Sequence, residues 1–155
     1  MSADLQTKIG DLLSVELGLY KTLRTMVSRE LEAIVLDHDM DGLLKILERK
    51  QEVVSRLQLL ADSWQDVLAS VGIRRGRDEE GFWDQLSALV STERQAGIAK
   101  QLQDAREAAA DLMKAEEEAQ AELEKHARSL RDQVVSRARG RQVAASYTKL
   151  GGSSR

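Results

Sequence analysis

The chain contains no proline among its 155 residues, and this absence constrains its fold more than any other feature. Proline inside a helix removes a backbone hydrogen bond and clashes with the preceding turn, so its absence permits long uninterrupted helices. Charged residues make up 32% of the chain and aromatic residues only 3%, a composition typical of long helices with solvated faces. We therefore expect an all-α protein that forms one domain over residues 1–155.

Apolar residues recur at steps of three and four along most of the chain, which is the period of an amphipathic helix. The pattern predicts a first long helix over residues 3–36, a second over 41–72 and a third over 92–139. A short helix, FWDQLSALV at residues 82–90, lies between the second and the third. Residues 140–155 are expected to form a flexible or weakly held tail.

The stretch LDHDMDG separates the first two predicted helices. Its aspartates and its glycine favour a turn, and Asp39 or Asp41 can cap the second helix. Because this connection is short, the first two helices should form an antiparallel hairpin. The third long helix would pack along the hairpin, giving an elongated three-helix bundle that resembles a coiled coil.

Few polar residues interrupt the predicted apolar seams. They are Glu16 and Glu30 in the first helix, Lys50 in the second, and Glu116 and His126 in the third. Alanine replaces leucine along the middle of the third seam, so this helix should pack either very closely or weakly. Trp64 is expected in the core.

The motif DHDMDGLLKILE fits the calcium loop of an EF-hand. Its ligand and turn positions would be Asp37, Asp39, Asp41, Gly42 and Glu48. Against this hypothesis, Leu43 and Leu47 already belong to the second helical seam, and Lys45 would repel a cation at the ninth position. No second, paired motif follows. A capped turn between helices explains the stretch better than a calcium site.

Composition excludes several other functions. The chain has no cysteine, which rules out disulfides and thiolate metal sites and favours the cytoplasm. Its two histidines, His38 and His126, are expected to be solvated or partly packed, and no nucleophile or acid accompanies them at a catalytic spacing. The net charge of −3 argues against a nucleic-acid partner. We expect no enzyme activity, no cofactor, no metal, no signal peptide and no membrane insertion.

The final stretch, RGRQVAASYTKLGGSSR, places a solitary aromatic residue, Tyr147, before two glycines. Val143, Tyr147 and Leu150 share a helical or turn-like spacing, and Gly140 should end or kink the preceding helix. Two interpretations stay open from the residues alone. The patch either rests on its own bundle or meets a partner as a weakly held amphipathic segment.

The predicted first helix ends in an E-x-x-A-I/L stretch, an aspartate-containing turn leads to a leucine, and a lysine opens a leucine-rich second helix. These residues are Glu30, Ala33, Ile34, Asp39, Leu43 or Leu44, Lys50, Leu57 and Leu60. With the Tyr-x-x-x-Gly ending at Tyr147 and Gly151, the chain resembles the flagellar export chaperone family FlgN. The resemblance covers nearly the whole length and is clearest at residues 11–60 and 143–152.

This resemblance implies a cytoplasmic chaperone that binds the hook–filament junction proteins FlgK and FlgL. Such a chaperone protects the terminal helices of its cargo and delivers it to the flagellar type III export gate. Cargo and gate contacts would lie in the C-terminal region. Together with the third seam, the resemblance predicts a set of partner-binding residues: Leu123, Leu130, Val134, Val143, Tyr147, Leu150 and Gly151.

The main alternative is a structural coiled-coil scaffold that forms homo-oligomers through the same apolar stripes. A calcium sensor is a further alternative. A chaperone is expected to be a monomer or a weak homodimer without its cargo, whereas a scaffold should form a stable dimer or a larger assembly.

Overall fold

A computed structural model describes the backbone of residues 2–148 and the side chains of residues 4–129 and 132. The elements in chain order are α1 (Ser2–Glu32), a π-helical turn (Ala33–Asp37), α2 (Met40–Ser70), α3 (Phe82–Ser87) and α4 (Thr92–Thr148). Residues 2–148 contain no strand, and the predicted all-α class is confirmed. Over the same range, no helix combines the length and apolar character needed to cross a membrane.

The first two helices form the predicted antiparallel hairpin, and α4 packs mainly along α1. The Arg24 Nε atom lies 3.0 Å from Asp111 Oδ2, and Nδ1 of His38, farther along the chain, lies 3.1 Å from His126 Nε2. A later residue of the first segment thus contacts a later residue of α4, which means that α1 and α4 run parallel. The connection over residues 71–91, which includes α3, closes the end of the bundle opposite the hairpin turn.

The core is deepest where α3 closes the bundle. Ile9, Phe82 and Leu86 are at most 2% exposed. Trp64 of α2 is buried in the same cluster, as expected, and Trp83 packs against it half-buried. Burying a large apolar side chain stabilises a fold by about 1.5–3 kcal/mol, so α3 is anchored although it is only six residues long.

The alanine-rich seam of α4 packs closely. Ala105, Ala115 and Ala119 are at most 3% exposed. Because alanine has a single methyl group, its burial requires neighbouring backbones to approach closely. The structure therefore decides between the two interpretations of this seam in favour of close packing.

The end of the third long helix differs from the prediction. Instead of ending or kinking at Gly140, α4 continues to Thr148. One glycine costs a helix only about 1 kcal/mol relative to alanine, and good helix formers surround it. The predicted weak attachment of residues 140–155 stays a prediction, and residues 149–155 lie outside the described part of the chain.

Other boundaries shift slightly. The α-helical part of the first helix ends at Glu32, and the chain reaches Asp37 through the π-helical turn. The short helix ends at Ser87, not at residue 90, because Leu89 and Val90 donate their backbone N–H groups to carbonyls only three residues back. Leu47 was expected in the second seam, but it is 38% exposed and lies outside the core.

Candidate functional site

The hairpin turn is built by a π-helical turn and one helix cap. His38 has φ 49° and ψ 34°, a left-handed conformation that few residues other than glycine adopt. The Asp39 carboxylate accepts a hydrogen bond of 3.0 Å from the Gly42 N–H and so caps α2. A Cβ atom at position 42 would collide with this carboxylate, which explains why glycine stands there.

Two histidines join this turn to α4. Nδ1 of His38 lies 3.1 Å from Nε2 of His126, with ring centroids 4.9 Å apart and ring planes inclined by 22°. This distance allows a hydrogen bond whose donor and acceptor are set by the tautomers of the two rings. The sequence predicted both histidines as solvated or partly packed, but it did not indicate that they meet.

A cleft of about 600 Å³ lies beside the histidine pair, between the hairpin turn and α4. Its lining is mostly apolar and consists of Ala33, Ile34, His38, Asp39, Met40, Leu43, Leu123, His126, Ala127 and Ser129. Leu43 is buried at its floor, and Leu123 packs half-buried against the same small cluster. We refer to this feature as the turn cleft.

Exposed apolar side chains surround the turn. The exposed fractions are 44% for Val35, 72% for Leu36, 52% for Met40 and 54% for Leu44. Isolated exposed apolar residues are ordinary on protein surfaces, whereas several of them near one turn make that turn a candidate interaction site. The sequence did not predict this cluster, and its only signal was that these residues lie off the main seam on both sides of the aspartate turn.

Three of the polar seam residues, one from each long helix, meet below this end of the bundle. The Lys50 ammonium of α2 lies 2.9 Å from Glu30 Oε1 of α1 and 2.7 Å from Glu116 Oε2 of α4. Burial alone lowers the pKa of Lys50, but its hydrogen bonds to Glu116 and Glu30 and their charges raise that pKa above its ordinary value. This ion cluster ties all three long helices together at one level.

Glu16, another predicted interruption, is buried by a residue of the crossover connection. The Arg77 guanidinium donates two hydrogen bonds to the Glu16 carboxylate, at 2.5 and 2.8 Å, and lies 4.6 Å above the Trp64 ring. Burial and the nearby Glu16 charge raise the pKa of Tyr20 beside this pair. The pair is structural, because it attaches residues 71–91 to the bundle.

A second groove, of about 590 Å³, runs between α1 and α4 on another side of the turn. It is lined by Leu31, Glu32, Val35, Leu36, Glu118, Ala121 and Glu122. Its carboxylates make it acidic, and we refer to it as the acidic groove. Farther along α4, the sequence from Arg128 onward becomes basic.

The structure places only part of the predicted partner-binding set. Leu123 lines the turn cleft. Leu130, Val134, Val143 and Tyr147 belong to α4, but their side chains are outside the described part of the chain. Leu150 and Gly151 lie outside it altogether. Their predicted role stays a prediction.

The calcium-loop hypothesis does not fit the backbone. Helix α2 begins at Met40, so Asp41 and Glu48 lie in helical backbone instead of a loop that wraps a cation. Asp39 is already engaged as the cap. Within the part of the chain whose side chains are placed, no group of three or more acidic, histidine or cysteine residues could hold a metal ion.

The fold and this surface define a class: an all-helical protein with mostly apolar grooves between a hairpin turn and one long helix. The family model for the FlgN protein matches residues 1–153, and the chain belongs to the FlgN family. This is a family of flagellar export chaperones, not of enzymes. Neither a curated protein nor a solved structure gives a significant match to this chain.

Proposed function

We propose that this protein binds the hook–filament junction proteins FlgK and FlgL in the cytoplasm and delivers them unassembled to the flagellar type III export gate. Family membership supports the export role. The choice of these two cargo proteins rests on the resemblance described above. The observation that carries a binding function is the exposed apolar cluster around the turn cleft.

The cleft suits an amphipathic helix of the cargo. Leu43 and Leu123 provide an apolar floor, and Met40 lines the cleft although half of its surface is exposed. A helix that lays its apolar face into such a groove exchanges exposed apolar surface for buried contacts. Meanwhile, the ion cluster and the Arg77–Glu16 pair hold the three helices as a rigid scaffold.

The C-terminal part of α4 would provide the second half of the binding surface. The helix contains 57 residues and is therefore about 85 Å long. It passes the hairpin turn near His126 and continues to Thr148. We propose that Tyr147 anchors a partner there, because large aromatic residues dominate the binding energy of many interfaces.

Co-purification with FlgK and FlgL tests the proposal. The full chain should capture at least one of them, and capture should be lost on truncation after Gly140 and weakened at least about tenfold by Tyr147→Ala. Failure of the full chain to capture either protein would overturn the proposal and favour the homo-oligomeric scaffold.

Surface variants test the exposed apolar residues around the turn separately from Tyr147. The pair Leu36→Asn and Leu44→Asn should weaken cargo binding without lowering the thermal midpoint, because both side chains are more than half exposed. Leu59→Asn is the matched control, since Leu59 is 67% exposed on α2. Equal cargo affinities of the parent, the double variant and the Leu59→Asn control would show that the exposed apolar residues around the turn are not part of the binding surface.

A further inference from the structure

The start of α2 carries an exposed apolar stripe. Met40, Leu44 and Leu47 recur at steps of four and three residues, so their side chains lie within about 60° of one another around the helix axis. They are 52%, 54% and 38% exposed. Leu47 thus belongs to this outer stripe instead of the core seam in which it was expected. We refer to these three residues as the α2 stripe.

Carboxylates follow one edge of the α2 stripe. Asp41, Glu48 and Glu52 are exposed and lie about 80–120° around the helix from Met40. The opposite edge is the buried side of α2, where Leu43 is only 4% exposed. A helix seated on the stripe would therefore have the bundle on one side and three carboxylates on the other.

These carboxylates engage no cation in the part of the chain whose side chains are placed. No ion pair joins Asp41, Glu48 or Glu52 to a basic side chain there. Lys45 and Arg49 of the same helix lie farther around its axis, toward the face opposite the stripe. The edge of the stripe therefore presents negative charge that a partner can neutralise.

We propose that the α2 stripe seats an amphipathic helix of a partner protein whose own apolar stripe is flanked by lysine or arginine. Burial of apolar surface drives this contact, and the three carboxylates select the partner by charge. A helix with an acidic flank would place like charges side by side and is disfavoured. Met40 and Leu44 also belong to the surface proposed for cargo, so this assignment rests on the proposed function and specifies the chemistry of the helix received there.

Fluorescence anisotropy with designed peptides tests this chemistry without FlgK or FlgL. Three labelled peptides of about 18 residues, or five helical turns, are compared on the full chain. The first two share one leucine stripe, flanked by lysines in one and by glutamates in the other, and the third is a scrambled form of the lysine peptide. The lysine peptide should bind at least about tenfold more tightly than either of the others. Equal binding of the lysine peptide and either comparison peptide would overturn the proposal.

Substitutions in the chain locate the binding site. One variant carries Leu44→Asn and Leu47→Asn, and a second carries Asp41→Asn, Glu48→Gln and Glu52→Gln. Each should weaken binding of the lysine peptide at least about fivefold, because the first loses apolar contact and the second loses charge pairs. Circular dichroism verifies that the fold is retained. Parent-like affinity of either variant would show that the peptide binds elsewhere and would overturn the assignment.

A matched control separates this site from general attraction to an acidic protein. Glu79→Gln, Glu80→Gln and Asp84→Asn remove the same three charges from exposed residues at the other end of the bundle. Asp84 lies in the first turn of α3 as Asp41 lies in the first turn of α2, so the loss of a charge at a helix start is matched too. The control should bind the lysine peptide like the parent chain. An equal loss of affinity in the control would overturn the assignment.

The peptide assay and the co-purification with cargo fail separately. Capture of FlgK or FlgL without binding of the lysine peptide would overturn the α2 assignment and leave the chaperone proposal intact. Binding of the peptide to the stripe without capture of either protein would overturn the chaperone proposal instead. Sedimentation of the chain alone tests a second copy as the occupant: a dimer that Leu44→Asn with Leu47→Asn dissociates would overturn the assignment to a basic partner helix.

Discussion

At the scale of single residues, Lys50 determines whether two carboxylates can face each other inside a helical bundle. The side chain of Glu30 is only 7% exposed, that of Glu116 is 37% exposed, and Lys50 lies between them at 17%. Without the ammonium, the Glu30 carboxylate would stay buried next to another negative charge. Removing one partner from a buried ion pair costs several kcal/mol because the other charge is left uncompensated.

We predict that Lys50→Met lowers the free energy of unfolding by about 3 kcal/mol. Urea denaturation followed by circular dichroism measures the change. The triple variant with Glu30→Gln and Glu116→Gln in the same background should recover most of this loss, because no buried charge then remains. If Lys50→Met alone were as stable as the parent, the ion cluster would not hold the helices together.

The same lysine predicts how stability depends on alkaline pH. Its pKa is raised in the folded state, so its contribution is complete below the unfolded-state pKa and is lost as the pH rises through the folded-state pKa. Unfolding curves of the parent and Lys50→Met should therefore converge in strongly alkaline solution. The raised pKa of Tyr20 also makes stability fall at alkaline pH, but it does so in both proteins and therefore cancels in the difference between their unfolding free energies. A difference in unfolding free energy that stays constant at all pH values would contradict the assignment of this stability to the charge of Lys50.

At the scale of elements, the start of α2 depends on an interaction between a cap and a glycine. Asp39 accepts its hydrogen bond from the Gly42 backbone, and the space beside Gly42 is filled by the same carboxylate. Alanine is normally the better helix residue by about 1 kcal/mol. Here it would displace the cap, which itself contributes about 1 kcal/mol.

A double-mutant cycle tests this interaction. Gly42→Ala in the parent chain should give no net gain in stability, whereas the same change in an Asp39→Ala background should stabilise by about 0.5–1 kcal/mol. Thermal unfolding of the four proteins gives the coupling energy. If the stability effects of Gly42→Ala and Asp39→Ala were additive, the Asp39 carboxylate would be able to move aside without losing its role as the cap.

At the scale of the whole molecule, local periodicity predicted the elements but not their meeting points. The three long helices, the turn and the burial of Trp64 follow from residue spacing within one segment. The meeting of Glu30, Lys50 and Glu116 depends on the register between helices, which spacing within a segment does not contain. Each of these residues is predicted only as a polar residue within its own apolar seam. The assembled bundle shows that the positive charge of Lys50 compensates the negative charges of Glu30 and Glu116.

The candidate site was predictable only in part for a related reason. Leu123 was selected from the third seam, and the structure places it in the turn cleft. Leu36 and Leu44 were not selected, because periodicity identifies apolar residues without showing which of them remain uncovered where a bundle ends. Exposure at the turn depends on how far each helix extends past its neighbours.

The last prediction separates the folded bundle from its binding segment. The core clusters that the structure describes extend along α4 only to Ala119, with Leu123 packed against the cluster nearest the turn. Truncation after Ser129 should therefore change the free energy of unfolding, measured by urea denaturation, by no more than about 0.5 kcal/mol. The same truncation should abolish capture of FlgK and FlgL. A large loss of stability would instead show that residues 130–155 belong to the core, and their role in binding would then need variants that leave the fold intact.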